Sequence, residues 1–390
     1  SAGLAIANKT PGLALVPWAA LCLVSEWLAP AATHSTRTRL WRCLWPLAVW
    51  LLVCAGTVFV VWPSLWHHAW STLRTVLASA QTYGGVPHEH SNYFWFAAQP
   101  APGAGFYPVA WALRTTPWVV LGLLGLPLVW RTRTRRSELL LLAVFGIGYT
   151  LAMTGSPKKF DRYLLPIFPL LGMLAALGWL AVWQALVARA RAARVRVTVG
   201  SLTPVLLGVV LAVAQCAVGW PTRPYYLSYY NLLFGGGATA EKVLLVGWGE
   251  GLDRAAAYLD GKPDAQNLVV ASWHEPEFSP FFVGRTLRAT DETSLAEPDY
   301  WVFYSSIVQR ELLPRASDPL IGQDPANPTV PPEYRVTLNG IDYAWIYVNP
   351  YYATGLEALL QRIASDANSG GGALVADVDA SYLRHYAGPV

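Results

Sequence analysis

Long apolar runs constrain this chain more than any other feature of its sequence. Six runs have about the length, roughly 20 residues, that a helix needs to cross a bilayer. They cover about residues 3–29, 41–62, 114–130, 138–155, 163–187 and 199–220. The polar sequence at 8–11 (Asn-Lys-Thr-Pro) interrupts the first run, which is therefore either one helix or two shorter pieces. Because 54% of the residues are hydrophobic and only 13% are charged, we expect a polytopic α-helical membrane protein rather than a soluble enzyme.

Clusters of arginine between alternate pairs of runs predict the orientation of the chain. The clusters are Arg37, Arg39 and Arg42; Arg131, Arg133, Arg135 and Arg136; and Arg189, Arg191, Arg194 and Arg196. Short cytoplasmic loops carry an excess of Lys and Arg, so we assign these three loops to the cytoplasm of a multi-pass cell-membrane protein. The loop at 63–113, the loop at 156–162 and everything after Trp220 then lie on the extracytoplasmic side.

After Trp220 the pattern becomes that of a water-soluble α/β domain. The predicted strands are 242–247, 267–272 and 300–305, followed by a hairpin over 333–348 that turns at Asn339 and Gly340, and a helix over 252–260 is stopped by Gly261. The sequence thus predicts a transmembrane region at 1–220 and an extracytoplasmic α/β domain at 221–368. A surface loop is expected at 317–332, and a linker with the start of a further unit at 369–390.

Charge and cysteine content exclude several other classes of protein. The net charge is +4, but the basic residues lie in clusters between apolar runs instead of along one face, so no nucleic-acid partner is indicated. The four cysteines lie in or beside apolar runs and indicate neither a disulfide framework nor a Cys-based metal site. The first residues lack the features of a signal peptide, and the chain is expected to be a piece of a longer protein.

A charged loop between the fourth and fifth runs is the strongest candidate for chemistry. Lys158, Lys159 and Arg162 precede a helix that we expect to start at Tyr163, and Asp161 is a candidate for orienting Arg162. Arg engages phosphate oxygens with two donors, Lys acts as a point charge, and a helix N-terminus adds backbone donors. The loop therefore fits a lipid phosphate or pyrophosphate, or else simple anchoring of basic side chains among lipid headgroups.

Other polar residues in or beside the apolar runs are candidates of lower specificity. Lys9 is an ionisable group within an apolar run and is either functional or directed to a membrane boundary. His88 and His90 resemble half of a metal site, but without a third ligand they favour hydrogen bonding to sugar or phosphate. Tyr107 belongs either to a substrate groove or to an interfacial aromatic belt, and Arg114 either contacts lipid phosphate or anchors its helix.

Three glycines in the predicted soluble domain invite comparison with phosphate-binding loops. Gly247, Gly249 and Gly251 stand between a predicted strand and a predicted helix. Their spacing matches neither the dinucleotide-binding pattern nor the Walker pattern. We therefore interpret them as a tight turn.

Four segments in matching order resemble bacterial glycosyltransferase family 39, the protein-mannosyltransferase and aminoarabinose-transferase-like group of the GT-C membrane fold. They are KKFDRYLLPIFPLLGMLAALG at 158–178, FYPVAWALRTTP at 106–117, NKTP at 8–11 and the segment 223–259. The resemblance covers about residues 3–260. It implies inverting transfer of a sugar from a polyprenyl-phosphate lipid to an extracytoplasmic protein, lipid or glycan, with no cofactor and no metal.

The resemblance also implies roles for particular residues. Lys158, Lys159, Arg162 and Tyr163 are expected to bind the donor phosphate, where fixed cations stabilise the charge of the leaving group. Residues expected in a substrate groove are His88, His90, Tyr107, Arg114 and Lys9. The general base of the family is expected upstream of the sequence given. A polytopic transporter and a non-catalytic lipid-binding membrane protein remain the alternatives.

Overall fold

The computed structural model describes residues 2–28, 36–131, 136–193, 203–293, 297–317, 320 and 330–349. It divides into two units: a helical unit, residues 1–92 and 100–218, and a sheet unit, residues 93–99 and 219–390. The predicted linker and further unit at 369–390 lie outside the described residues, as does most of the predicted loop at 317–332.

The helical unit contains ten α-helices within the described residues. They are α1 (Ala2–Asn8), α2 (Leu15–Leu28), α3 (Thr36–Val61), α4 (Ser64–Gly85), α5 (Phe106–Arg114), α6 (Pro117–Leu123), α7 (Leu126–Arg131), α8 (Arg136–Thr154), α9 (Ile167–Ala192) and α10 (Thr203–Gly219). Within the described part of the chain, 4 helices are long and apolar enough to cross a membrane, or up to 5 if a bent pair counts as one span. Of the six apolar runs, the first of which was expected to be either one helix or two shorter pieces, four or up to five thus correspond to candidate spans within the described residues.

A break in the first apolar run accounts for one lost span. A 3₁₀ turn, Thr10–Ala14, separates α1 from α2, and Lys9 between them has extended backbone angles. Pro11 favours this break because it cannot donate to a helical hydrogen bond. A Cβ at Gly12 would lie 2.6 Å from the backbone of Ala5, so the chain folds back closely on α1 here.

The region between the second and fourth runs is more helical than the sequence predicted. Helix α4 and all of α5 except its last residue, Arg114, lie within the stretch 63–113 that we expected to be an outer loop. The predicted run at 114–130 is the second half of a bent pair, because the helical segment Pro117–Trp130 is bent by 114° relative to α5. Thr115 and Thr116 are extended at this corner, and Pro117 at the start of α6 prevents α5 from continuing.

Apolar side chains cover the outside of the helical unit. Only 6% of the span Leu44–Val61 is buried inside the protein, and Leu52 is 75% exposed. Helices α6 and α9 pack closely at small residues, since a Cβ at Gly178 would lie 1.8 Å from the carbonyl oxygen of Gly122. Apolar outer surfaces and close contacts between small residues are typical of membrane helices.

The sheet unit is built on five strands in the order β4-β3-β5-β7-β6. The strands are β3 (Val269–Ser272), β4 (Arg285–Arg288), β5 (Tyr300–Tyr304), β6 (Tyr334–Leu338) and β7 (Ile341–Val348), and a separate hairpin pairs β1 (Asn92–Phe94) with β2 (Ala97–Gln99). Strand β3 pairs in parallel with β4 and β5, whereas β7 runs antiparallel to β5 and β6. Helices α11 (Gly236–Val243), α12 (Leu252–Asp260), α13 (Glu275–Phe278) and α14 (Ser305–Gln309) complete this unit.

Most of the predicted elements of the α/β domain are confirmed. Strands β3 and β5, the hairpin β6–β7 and the end of α12 at Gly261 lie where the pattern placed them. Asn339 and Gly340 both have positive φ, as an Asn-Gly hairpin turn requires. Strand β4 was not predicted.

The strand predicted at 242–247 is wrong. Residues up to Val243 belong to α11, and Leu244 forms only an isolated bridge with Phe94. The turn that we inferred from Gly247, Gly249 and Gly251 is confirmed, since all three have positive φ directly before α12.

Candidate functional site

The charged loop of the helical unit joins α8 to α9 and begins at Gly155. A 3₁₀ turn spans Asp161–Leu164, and α9 starts at Ile167, directly after Pro166. The helix expected to start at Tyr163 therefore starts four residues later. Residues 158–163 are not presented by an α-helix N-terminus, and their position depends on side-chain contacts.

Ser156 and Lys159 fix the first half of this loop. The Ser156 hydroxyl donates to the carbonyl oxygen of Gly84 at 2.6 Å, which ties the loop to the end of α4. The Lys159 ammonium donates to the Ser156 carbonyl oxygen at 2.6 Å. Asn92 donates to the Lys159 carbonyl. Lys159 is only 6% exposed, and burial lowers its pKa.

Asp161 and Arg114 fix the second half of the loop. Their side chains pair at 2.7 Å and are 13% and 12% exposed, respectively. The other carboxylate oxygen of Asp161 accepts the backbone N–H of Arg162 at 2.7 Å. Asp161 thus contacts the Arg162 backbone, and Arg114 anchors the loop to the end of α5.

A cavity of about 350 Å³ opens beside this loop within the helical unit. Three of the residues that sequence analysis nominated, Lys9, Lys158 and Tyr163, line it together. Its other lining residues are Pro11, Ala80, Gly84, Met153 and Ser156. The cavity therefore combines two ammonium groups, a phenol and a serine hydroxyl with apolar walls.

A second, apolar cavity of about 420 Å³ adjoins the first. Both are lined by Pro11 and Met153, so one wall is common to the two. The second cavity lies between the segment at 11–21 and α8, where Trp18 and Phe145 pack with ring centroids 4.9 Å apart. An apolar chain attached to a group in the first cavity has hydrocarbon-lined space directly beside it.

Several nominated residues lie outside the lining of the first cavity. The guanidinium of Arg162 is exposed and lies 4.7 Å from the ring centroid of Phe160, which also contacts the ring of His88 at 5.0 Å. The His90 backbone N–H donates to the His88 ring at 3.2 Å. Tyr107 is fully buried and lines a different, apolar cavity that includes Leu164. Of the four residues expected to bind the donor phosphate, Lys158 and Tyr163 line the first cavity, whereas Lys159 and Arg162 are not among its lining residues.

The chemistry available in the first cavity is that of anion binding. Lysine ammonium groups and hydroxyl groups donate hydrogen bonds, and cations favour phosphate oxygens. No carboxylate lies among the residues that line this cavity, so these residues supply no carboxylate general base. No group of three or more His, Cys, Asp or Glu residues suited to a metal ion occurs among the residues that the structure describes.

Sequence analysis missed Ser156, although its position carried a signal. A serine directly after the end of an apolar helix is well placed to bond with nearby backbone groups. That its partner is Gly84, 72 residues away, could not be inferred from local pattern. The roles of Met153 and Pro11 in joining the two cavities likewise depend on tertiary packing.

We compared the chain with protein-family models, with curated proteins and with solved structures. No family model, curated protein or solved structure matches it.

Proposed function

We propose that this chain is part of an integral-membrane, inverting glycosyltransferase that takes its sugar from a polyprenyl-phosphate lipid. The observation that carries the proposal is the cavity lined by Lys9, Lys158 and Tyr163, with an apolar cavity sharing its wall. A polyprenyl-phosphate sugar matches this pair of cavities, because its anionic phosphate suits the lysine-lined cavity and its hydrocarbon chain suits the apolar one. The resemblance to glycosyltransferase family 39 at 8–11 and 158–178 supports the same function.

In the proposed reaction an acceptor hydroxyl attacks the anomeric carbon of the sugar. The bond from that carbon to the phosphate oxygen breaks, and polyprenyl phosphate leaves with the electron pair. Lys9 and Lys158 hold this phosphate and stabilise the negative charge that it gains in the transition state. The acceptor proton passes to a base outside the lining of this cavity, since none of the lining residues is a carboxylate.

The other residues of the loop are positioning residues in this proposal. Lys159 holds the Ser156 carbonyl, and the pair of Arg114 with Asp161 holds the 3₁₀ turn next to Tyr163. Together they fix the backbone on both sides of Lys158. Such fixed geometry matters because a donor group contributes most when it does not have to reorganise during the reaction.

The membrane and the side of the reaction are also part of the proposal. The apolar helices lie in the cell membrane, and the positive-inside assignment places the charged loop and the sheet unit on the extracytoplasmic face. The acceptor is then an extracytoplasmic protein, lipid or glycan. The sugar is a hexose or pentose carried by the polyprenyl phosphate.

A reconstituted transfer assay tests the proposal. The full-length protein is placed in proteoliposomes with hexosyl or pentosyl polyprenyl phosphate and an extract of envelope acceptors, and the polyprenyl phosphate formed is quantified. Lys158→Met and Lys9→Met should each slow the reaction about 100-fold, comparable to the loss of one fixed donor in other active sites. Lys242→Met removes an exposed lysine of the sheet unit and serves as the control.

The alternatives give different results in the same assay. A non-catalytic lipid-binding protein retains the lipid-linked sugar without forming polyprenyl phosphate. A transporter moves a solute across the proteoliposome membrane and leaves the sugar donor intact. Either result, obtained with several sugar donors, would contradict the proposed reaction.

A further inference from the structure

A second cluster of cationic and aromatic residues lies in the sheet unit, at the carboxyl ends of three adjacent parallel strands. Arg288 is the last residue of β4, Trp273 and His274 directly follow β3, and Ser306 and Arg310 follow β5. Open α/β sheets bind ligands at the carboxyl ends of their strands. The cluster therefore lies at the edge of the sheet where ligands bind in this type of fold.

Two guanidinium groups of this cluster share one indole ring. The central carbons of Arg288 and Arg310 each lie 5.7 Å from the ring centroid of Trp273. Neither arginine has a carboxylate within ion-pair distance among the described residues. The indole offers its π face to the cations but carries no charge, so within the described residues no carboxylate neutralises the two guanidinium groups.

Of the two arginines, Arg310 is the less usual because it is buried. The residue is only 9% exposed, and its Nε–H donates to the backbone carbonyl of Ser306 at 2.8 Å. Burial lowers its pKa to about 10. A buried cation is costly unless an anion or several acceptors compensate it, so this arginine is poised to gain from a bound anion.

The neutral groups around the arginines are suited to complete such a site. The His274 ring bonds to the Ser306 hydroxyl at 3.1 Å, and burial lowers the His274 pKa to about 4, so that its ring is neutral near pH 7. Glu277 is the acidic neighbour, and its carboxylate faces the His274 ring at 3.5 Å. The hydroxyl of Ser272 is fully buried and has no hydrogen-bond partner within the described structure. Within the described residues it is a further donor without a partner, at the end of β3.

We propose that Arg288, Arg310 and Trp273 form a binding site for an oxyanion, a carboxylate or phosphate group carried by a sugar. The guanidinium forks bind the oxyanion with paired hydrogen bonds, and the sugar ring lies beside the indole. This site lies in a different unit from the proposed donor cavity. Its ligand binding requires no transfer reaction, so it stands or falls separately from the proposed function.

Calorimetric titration of the full chain in lipid nanodiscs tests the site. The probes are glucuronate and glucose 6-phosphate as acidic sugars, inorganic phosphate as the free anion, and glucose as the uncharged sugar. We expect both acidic sugars to bind more tightly than phosphate and glucose not to bind. Arg288→Gln should weaken acidic-sugar binding at least tenfold.

Arg285→Gln is the matched control, because Arg285 is another exposed arginine of β4 and pairs at its surface with Glu297. It should leave binding unchanged. Arg310→Gln should abolish binding, and Arg288→Gln keeps the test decisive if the Arg310 variant does not fold. Equal binding by Arg288→Gln and Arg285→Gln, or equal binding of glucose and glucuronate, would overturn the proposal.

Discussion

The helical unit and the sheet unit are organised on opposite principles. In the sheet unit, large aromatic side chains such as Trp301, Tyr304 and Tyr343 are buried inside the protein. In the helical unit, most apolar side chains of the long helices face outward, and only 6% of the span Pro204–Thr222 is buried. The sheet unit is stabilised by burial of apolar side chains away from water. The helical unit is held by close helix contacts and by polar contacts at helix ends.

This difference explains where each unit can keep charged groups. Lys159 and the pair of Arg114 with Asp161 are buried at the ends of helices, where backbone carbonyls and opposite charges compensate them. Arg310 is buried beside a sheet with a backbone carbonyl and an indole but no carboxylate within the described structure. The first arrangement is self-contained, whereas the second gains from an added anion.

The largest effect should come from removing core volume in the sheet unit. Trp301→Ala should lower the free energy of unfolding of that unit by about 3 to 5 kcal/mol, because it leaves a cavity at a fully buried site. Hydrogen exchange of the β5 and β7 amides in the full chain measures this change. Leu52→Ala, at a position that is 75% exposed, should change the stability of the helical unit by less than about 0.5 kcal/mol. Similar losses of unfolding free energy in Trp301→Ala and Leu52→Ala would refute the contrast between the two units.

A pH dependence should appear in the sheet unit. Burial lowers the His274 pKa from 6.5 to about 4 in the folded protein. As the pH falls, His274 binds a proton in the unfolded chain before it does so in the folded protein. Its contribution to the free energy of unfolding is therefore complete above pH 6.5 and is lost as the pH falls towards 4. This contribution is about 3 kcal/mol. Hydrogen exchange from pH 7 to pH 4 should show a shallower loss in His274→Gln than in the parent protein, and identical profiles would exclude this origin.

A smaller effect should follow from adding one methyl group between helices of the helical unit. Gly178→Ala places a Cβ against the carbonyl of Gly122 and should cost about 1 to 3 kcal/mol as α6 and α9 are forced apart. Gly172→Ala, also in α9, meets no atom within 4 Å and should be neutral or slightly stabilising. Unfolding in mixed detergent measures both. If the two variants behaved alike, close glycine packing would not hold these helices.

Sequence pattern predicted the elements whose signals are local. The Asn339-Gly340 turn needs two residues that accept positive φ, and Gly261 directly follows the last turn of α12, so both could be located from residue type alone. The short apolar run at 242–247 carried no such signal. Short apolar runs are ambiguous between helix and strand, and here the end of α11 takes the first two residues.

The candidate site shows the same limit. Lys9 and Lys158 were nominated by charge and position and Tyr163 by the family resemblance, and the structure places all three around one cavity. Which of two adjacent lysines faces that cavity depends on where the loop is tied. The bonds of Ser156 to Gly84 and of Asp161 to Arg114 span 72 and 47 residues, and no local pattern encodes them.

The most direct test of the donor cavity is the affinity of the full chain for polyprenyl phosphate, measured by native mass spectrometry from detergent micelles. Lys158→Met should weaken this binding at least tenfold, since a charge-assisted hydrogen bond contributes about 1.5 to 3 kcal/mol. The exposed-lysine variant Lys242→Met should bind as the parent does. Equal lipid occupancy in Lys158→Met and Lys242→Met would contradict the central claim that this cavity holds the phosphate of the lipid.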